Sequence, residues 1–118
     1  MQIVIHAQGF SVTDAHEKHV RRRLAFTFSR LSARLRRVHV RLSDLNGPRG
    51  GVDKRCLIEV CLDGLPTVVI QDVQSDMYSA IDRAAGRAAR TVLRRLSLVN
   101  SRRRQQAMQL ADQLTPGL

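Results

Sequence analysis

The sequence predicts an α+β fold. It is a two-layer sandwich in the order β-α-β-β-β-α, with a four-stranded sheet covered on one face by both helices. Two patterns predict it. Apolar residues recur every three or four positions in two stretches, and they alternate with polar residues in the segments before and between those stretches. With 118 residues, 43% of them hydrophobic, the chain fits one domain with one core and leaves little over.

Gln2–Gln8 (QIVIHAQ) is a short β-branched run and the first strand. Gly9 follows, with Ser11 and Thr13 beyond it. Thr13 offers an N-cap hydroxyl and Asp14 sits in the first turn, where a negative charge suits the helix dipole. Val20, Leu24, Phe28, Leu31 and Leu35 then recur at helical spacing, which predicts a helix from Asp14 to Leu35. Val38, Val40 and Leu42 alternate with His39, Arg41 and Ser43 in a half-buried strand. Asn46–Gly51 (NGPRGG) has loop chemistry. From Arg55 to Leu62 the alternation resumes, with Cys56, Ile58, Val60 and Leu62 on one face. Asp63-Gly64 signals a hairpin, and Thr67–Val73 is the return strand.

Ser75 is then expected to cap a second helix, with Asp76 in its first turn. Met77, Ile81, Ala84, Ala85, Ala88, Val92 and Leu96 form the apolar face of that helix. Asn100-Ser101 is expected to break it, so the domain is read as residues 1–98 and residues 99–118 as a C-terminal tail. The tail carries Arg102-Arg103-Arg104 and then Ala107, Leu110, Ala111 and Leu114 at helical spacing. It reads either as a short helix docking on the domain or a partner, or as a mobile segment.

Lys and Arg total 20 against 10 Asp and Glu, a net charge of +10, and 18 of the cations are arginine. Such a chain binds polyanions, and the planar guanidinium fork suits phosphate and stacks on bases. Residues 14–37 carry eight cations and two acids, and residues 76–104 carry the same. The excess charge is therefore expected on the two helices and what immediately follows them. At about 100° per residue, Arg83, Arg87, Arg90 and Arg94 fall in a stripe of roughly 60° opposite the apolar face of the second helix. On the first helix His19, Arg23, Arg30 and Arg34 form a stripe beside the apolar face, with Phe26 among them. Few acids stand near in sequence to relieve the like-charge repulsion. Arg23, Arg30, Arg34, Arg83, Arg87, Arg90 and Arg94 are thus the candidate phosphate-binding residues. A membrane surface is the weaker reading, because the core needs the apolar residues of both helices.

Catalytic and cofactor motifs are missing. His16 and His19 stand three apart on a helix but lack a third ligand at sensible spacing, so no metal site is expected. The NGPRGG stretch joins two strands and opens no helix, unlike a phosphate loop. No serine or cysteine sits in a nucleophile elbow. Cys56 and Cys61 are five apart in a strand and point to opposite faces, which reads as two free thiols in a reducing compartment. Asp44, Asp53, Glu59, Asp63 and Asp72 read as solubilising or edge-strand charges. Without a signal peptide or an apolar run of membrane-spanning length, the chain reads as soluble and cytoplasmic. It reads as a non-enzyme with no cofactor and no small-molecule substrate. Tyr78, the only tyrosine, reads first as covering the edge of the sheet and second as a group that stacks or bonds at an RNA surface.

Asp76-Met77-Tyr78-Ser79-Ala80-Ile81-Asp82, directly after the last strand, resembles the helix entry of the ribosome hibernation-promoting factor family, which includes the ribosome-associated inhibitor (sigma-54 modulation protein). Met1–Ile5 and Val12-Thr13-Asp14-Ala15 are similar to that family too, and the resemblance covers roughly residues 1–98. It implies a fold like the double-stranded RNA-binding domain. It also implies binding to ribosomal RNA of the small ribosomal subunit between head and body, where mRNA and tRNAs would lie, so that a bound factor silences idle ribosomes under stress. The family's second-helix cations correspond to Arg87, Arg90 and Arg94, and Arg23 corresponds on the first helix. The tail departs from the family: it is too short for the dimerising domain of the long members and lacks the acidic tail of the inhibitor type. Two alternatives stand beside this reading. One is a general RNA-binding or RNA-chaperone module, the other a transcription modulator acting through protein contacts.

Overall fold

The computed structural model describes residues 1–9, 12–46 and 51–114. Ser11, residues 47–50 of the expected loop and residues 115–118 of the tail lie outside the described residues. The elements run β1 (Gln2–Gln8), α1 (Asp14–Thr27), β2 (Leu35–Asp44), β3 (Lys54–Leu62), β4 (Val68–Gln74) and α2 (Met77–Leu114). The order is the expected one. The four strands lie side by side in chain order. β1 pairs parallel with β2, and β2–β3 and β3–β4 are antiparallel. Parallel pairing needs a crossover, and α1 supplies it.

The period-two alternation sorts the sheet. Val38, Val40, Leu42, Cys56, Ile58, Val60 and Val68 are buried against the helices. Val20, Leu24 and Phe28 meet them from the first helical segment, and Met77, Ile81, Val92 and Leu96 meet them from α2. Four alanines of α2, Ala80, Ala84, Ala85 and Ala88, are fully buried. Their small side chains let a thick rod lie close to the sheet. Gly9, at φ +114°, turns the chain out of β1, and a Cβ there would lie 2.8 Å from the Asp44 Cβ. Gly64 has φ +70° in the loop joining β3 to β4, as the Asp-Gly signal leads one to expect.

Three boundaries depart from the sequence reading. First, α1 stops at Thr27 rather than Leu35, and a 3₁₀ turn spans Ser32–Arg34. The backbone tightens: the N–H of Leu31 donates to Phe28 and that of Arg34 to Leu31, both at 2.9 Å. The Ser29 hydroxyl donates to the Phe26 carbonyl at 3.2 Å. Such hydroxyls compete with helical hydrogen bonds. Turns of i→i+3 type keep Phe28 and Leu31 on the core side, so the spacing of three survives without an α-helix. Leu35 then enters the sheet as the first residue of β2, next to a register shift. Arg30 and Arg34 therefore leave the first helix.

Second, the cap of α2 is Asp76, not Ser75. Its carboxylate accepts from the Ser79 N–H at 3.0 Å and the Ser79 hydroxyl at 3.1 Å, while its carbonyl takes the Ala80 N–H at 3.0 Å. Third, α2 does not break at Asn100-Ser101. It runs 38 residues to Leu114. Asn and Ser at exposed helical sites cost only a few tenths of a kcal/mol each. Leu96 is the last buried residue of the rod, and residues 100–114 are exposed.

Candidate nucleic-acid interface

Arg83, Arg87, Arg90 and Arg94 are all exposed. They follow one stripe that flanks the buried alanines of α2, which is how Arg83 and Arg87 reach Asp72 on β4. Arg23 on α1 joins three of these residues. Together with Asp82, Arg83, Gly86, Arg87 and Arg90 it lines a groove of about 290 Å³ between the helices. Gly86 leaves the middle of the groove without a side chain. A Cβ there would make only an ordinary contact, 3.7 Å from Arg90 Nη1, so the glycine keeps the groove open rather than relieving a clash.

The acids that serve this surface come from across the fold, which the sequence did not show. Asp72 on β4, read above as an edge charge, is buried with its side chain only 8% exposed. Arg87 Nη1 donates to its Oδ2 at 3.2 Å and to the Gln71 carbonyl at 2.7 Å. Arg83 Nε lies 3.8 Å from the same carboxylate, and Gln74 donates to Oδ1 at 2.6 Å. On the other flank Asp82 accepts from His19 Nε2 at 2.7 Å and faces Arg23 Nε at 3.6 Å. Arg87 is thus held in position by hydrogen bonds, whereas Arg23 and Arg83 face carboxylates without hydrogen-bonding to them. Arg90 and Arg94 meet no carboxylate among the described residues and carry uncompensated charge.

Two of the expected residues lie elsewhere. Arg34 stands beside Leu31, Leu93, Leu96, Asn100 and Arg104 in a second shallow groove between the 3₁₀ turn and the far part of α2. Arg30 is exposed in the turn after α1. The cations of the first segment therefore split, with Arg23 at the main groove and Arg34 at the second one. Arg104 joins this second groove although it is not among the candidate phosphate-binding residues. Its signal, three arginines in a row after Asn100-Ser101, read as tail charge because the helix was expected to break. Phe26 is 77% exposed and forms an open patch with His19, Arg22 and Arg23. It sits beside the groove with an apolar face suited to stacking.

Tyr78 does not cover the sheet edge. Its ring packs edge-on against His16 at 4.6 Å and His19 at 5.1 Å, tying the start of α2 to α1. His16 Nδ1 accepts the Thr13 N–H at 3.1 Å, closing the helix entry as a glutamate does in a capping box. Burial, first among the causes, lowers the His16 pKa below the ordinary value of 6.5, and His19 adds to the lowering while Asp76 opposes it.

Two further acids read as solubilising are also interior. The side chains of Asp44 and Asp53 have no exposed surface and flank Lys54 Nζ at 3.1 and 3.0 Å. The hydrogen bond to Asp53 is the main cause that raises the lysine pKa. Cys56 and Cys61 are free thiols. Burial, with the charge of Asp72 adding, pushes the Cys56 thiol up to about 12, which leaves it no nucleophilic role near neutral pH. Among the described residues no cluster of three His, Cys, Asp or Glu side chains could hold a metal, and no helix is long and apolar enough to cross a membrane.

The fold has counterparts among solved structures. A ribosomal subunit interface protein from Coxiella burnetii superposes with a TM-score of 0.68 at 18% identity, over 82% of this chain and 99% of that one. The N-terminal domain of Protein Y from Thermus thermophilus superposes with a TM-score of 0.62 at 29% identity, over 80% of this chain and 98% of that one. No curated protein sequence matches the chain. The family model described as sigma 54 modulation protein / S30EA ribosomal protein matches residues 3–97. That match takes in the sheet, α1 and the part of α2 that covers the sheet, and the chain belongs to this family.

Proposed function

We propose that this protein is a ribosome-associated hibernation factor. In this reading it binds ribosomal RNA of the small subunit in the channel for mRNA and tRNA, and it inhibits translation by occupying that space. The observation that carries the proposal is the arginine groove. Two rigid helices hold Arg23, Arg83, Arg87 and Arg90 around one concavity, and Arg94 continues the stripe. Arg87 is positioned by hydrogen bonds before any ligand arrives, which reduces the ordering cost of binding. The free charge of Arg90 and Arg94 supplies the attraction to phosphate. Family membership and the neighbour named a subunit interface protein support the ribosome as the source of that phosphate.

Co-sedimentation with separated small and large subunits across a salt series tests this. Saturation near one copy on the small subunit, competed by mRNA or tRNA, is expected. Equal and unsaturable binding to both subunits and to bulk RNA would leave a general RNA-binding module. A stable protein partner insensitive to salt would point to a transcription modulator. The informative variant is Arg90→Glu with Arg94→Glu, which is expected to abolish association while the thermal midpoint stays near wild type. Full binding by that variant would remove the stripe from the mechanism. Arg87→Glu, which the sequence alone would have chosen, is a poor probe. It sets a second carboxylate against buried Asp72 and removes that acid's closest cationic partner, so lost binding would report lost stability.

A further inference from the structure

The charge is not confined to the helical layer. Arg36 and Arg37 lie on β2 rather than on a helix. Alternation along the strands places Arg37, Arg41 and Arg55 on the face of the sheet that the helices leave open, because their neighbours Val38, Val40, Leu42 and Cys56 are buried under the helices. His6 is paired with Arg41 across β1–β2. Arg55 is paired with Ser43 across β2–β3, and Leu57 with Arg41. Arg41 and Arg55 are thus diagonal neighbours, roughly 7–8 Å apart at the backbone.

Around them the open face forms a cavity of about 270 Å³ lined by His6, Gln8, Arg41, Ser43 and Arg55. Arg55 Nε donates to the Ser43 hydroxyl at 3.0 Å, which leaves the guanidinium positioned but not neutralised. Among the described residues no carboxylate pairs with Arg41 or Arg55. Within the strands the one acid that alternation places on this face is Glu59, four residues along β3 from Arg55, or about 13 Å, and Asp53, just before β3, has no exposed side-chain surface and bonds Lys54. Asp44 on β2 and Asp72 on β4 are turned to the helical side. Two unpaired guanidiniums, an imidazole, a hydroxyl and an amide around one concavity form a donor set for a phosphate diester.

We propose that the open face of the sheet carries a second RNA-binding site, in which Arg41 and Arg55 engage backbone phosphate with His6, Gln8 and Ser43 as further donors. The site lies on the opposite side of the sheet from the helical groove, so the protein binds RNA on two faces and can stand between two strands. This extends the proposed function and rests on its reading of RNA as the ligand.

The test measures binding of the full chain to a fluorescein-labelled single-stranded RNA 20-mer (an arbitrary probe length) by anisotropy over a salt series. Arg41→Ala with Arg55→Ala is expected to weaken binding about tenfold at low salt. It should also reduce the log–log salt slope by about 1.4, since each phosphate contact on a single strand contributes ~0.7. The same loss is expected on top of Arg90→Glu with Arg94→Glu, because separate faces act additively. Arg41→Glu alone, at an exposed position without an intramolecular partner, keeps the test decisive if the double variant folds poorly. Wild-type affinity and slope in the folded Arg41→Glu protein would overturn the second site. In that case, loss of binding in the Arg90/Arg94 variant would still sustain the helical groove. Failure of both sets of variants to change binding would instead remove RNA as the ligand.

Discussion

Single residues at this surface have two kinds of work, and their partners tell which. Arg87 closes the edge of the core over Asp72, whereas Arg90, one turn on, touches no acid and is free for a ligand. His16 is structural in the same sense: its neutral ring is what accepts the Thr13 N–H. Because burial lowers its pKa in the native state, the unfolded chain takes up the proton first as the pH falls. The stability it contributes is therefore complete above the ordinary value of about 6.5 and is lost as the pH falls through the lowered native value. Urea midpoints between about pH 7.5 and 5 should fall more for wild type than for His16→Gln, which can still reach the N-cap N–H but does not titrate. Parallel profiles for the two proteins would assign the acid sensitivity to another group. The partners of the arginines were the part of the site hidden in the sequence. Asp72 stands 15 residues from Arg87 and pairs with it only because β4 and α2 pack together. The arginines themselves were legible, since their spacing of three and four needs only helical geometry.

At the scale of elements, the order β-α-β-β-β-α and the strand faces were readable because period-two and period-3.6 patterns differ sharply. The end of α1 was not readable. Phe28, Leu31 and Leu35 keep their spacing through a 3₁₀ turn and a strand entry, so one apolar rhythm runs across three kinds of backbone. The far end of α2 was misread for the opposite reason: Asn100-Ser101 resembles a cap, but nothing outside the helix competes for its backbone. The buried alanines of α2 make a prediction of their own. Ala84→Leu inserts three carbons where the rod lies against the sheet, and overpacking of this kind costs about 1–3 kcal/mol. Chemical denaturation should show a lower midpoint. An unchanged midpoint would mean that α2 can lift from the sheet without loss.

Over the whole molecule, the sheet and the two helices form one thick end and the bare part of α2 a thin one, with a long dimension of 74 Å against 23 and 18 Å. Arginine is spread over both faces of the thick end and along the thin one, with few acids left to offset it on the surface. Steep loss of RNA binding with added salt is therefore expected of the intact chain.

The unbroken course of α2 also fixes an angular relation. Arg103 lies 13 residues beyond Arg90, about 20 Å along the same axis, and each residue between them turns the rod by about 100°. The direction in which the arginine triad faces is thus geared to the groove. One alanine inserted after Ser97 would swing the triad about 100° around the axis while moving it only about 1.5 Å. A seven-residue helical insert would carry it about 10 Å further yet return it to within about 20° of its original azimuth. If groove and triad grip one ligand, the single insertion should weaken RNA binding more than the long one, as phase rather than reach would decide. Equal losses would make the triad a loose charge whose bearing does not matter.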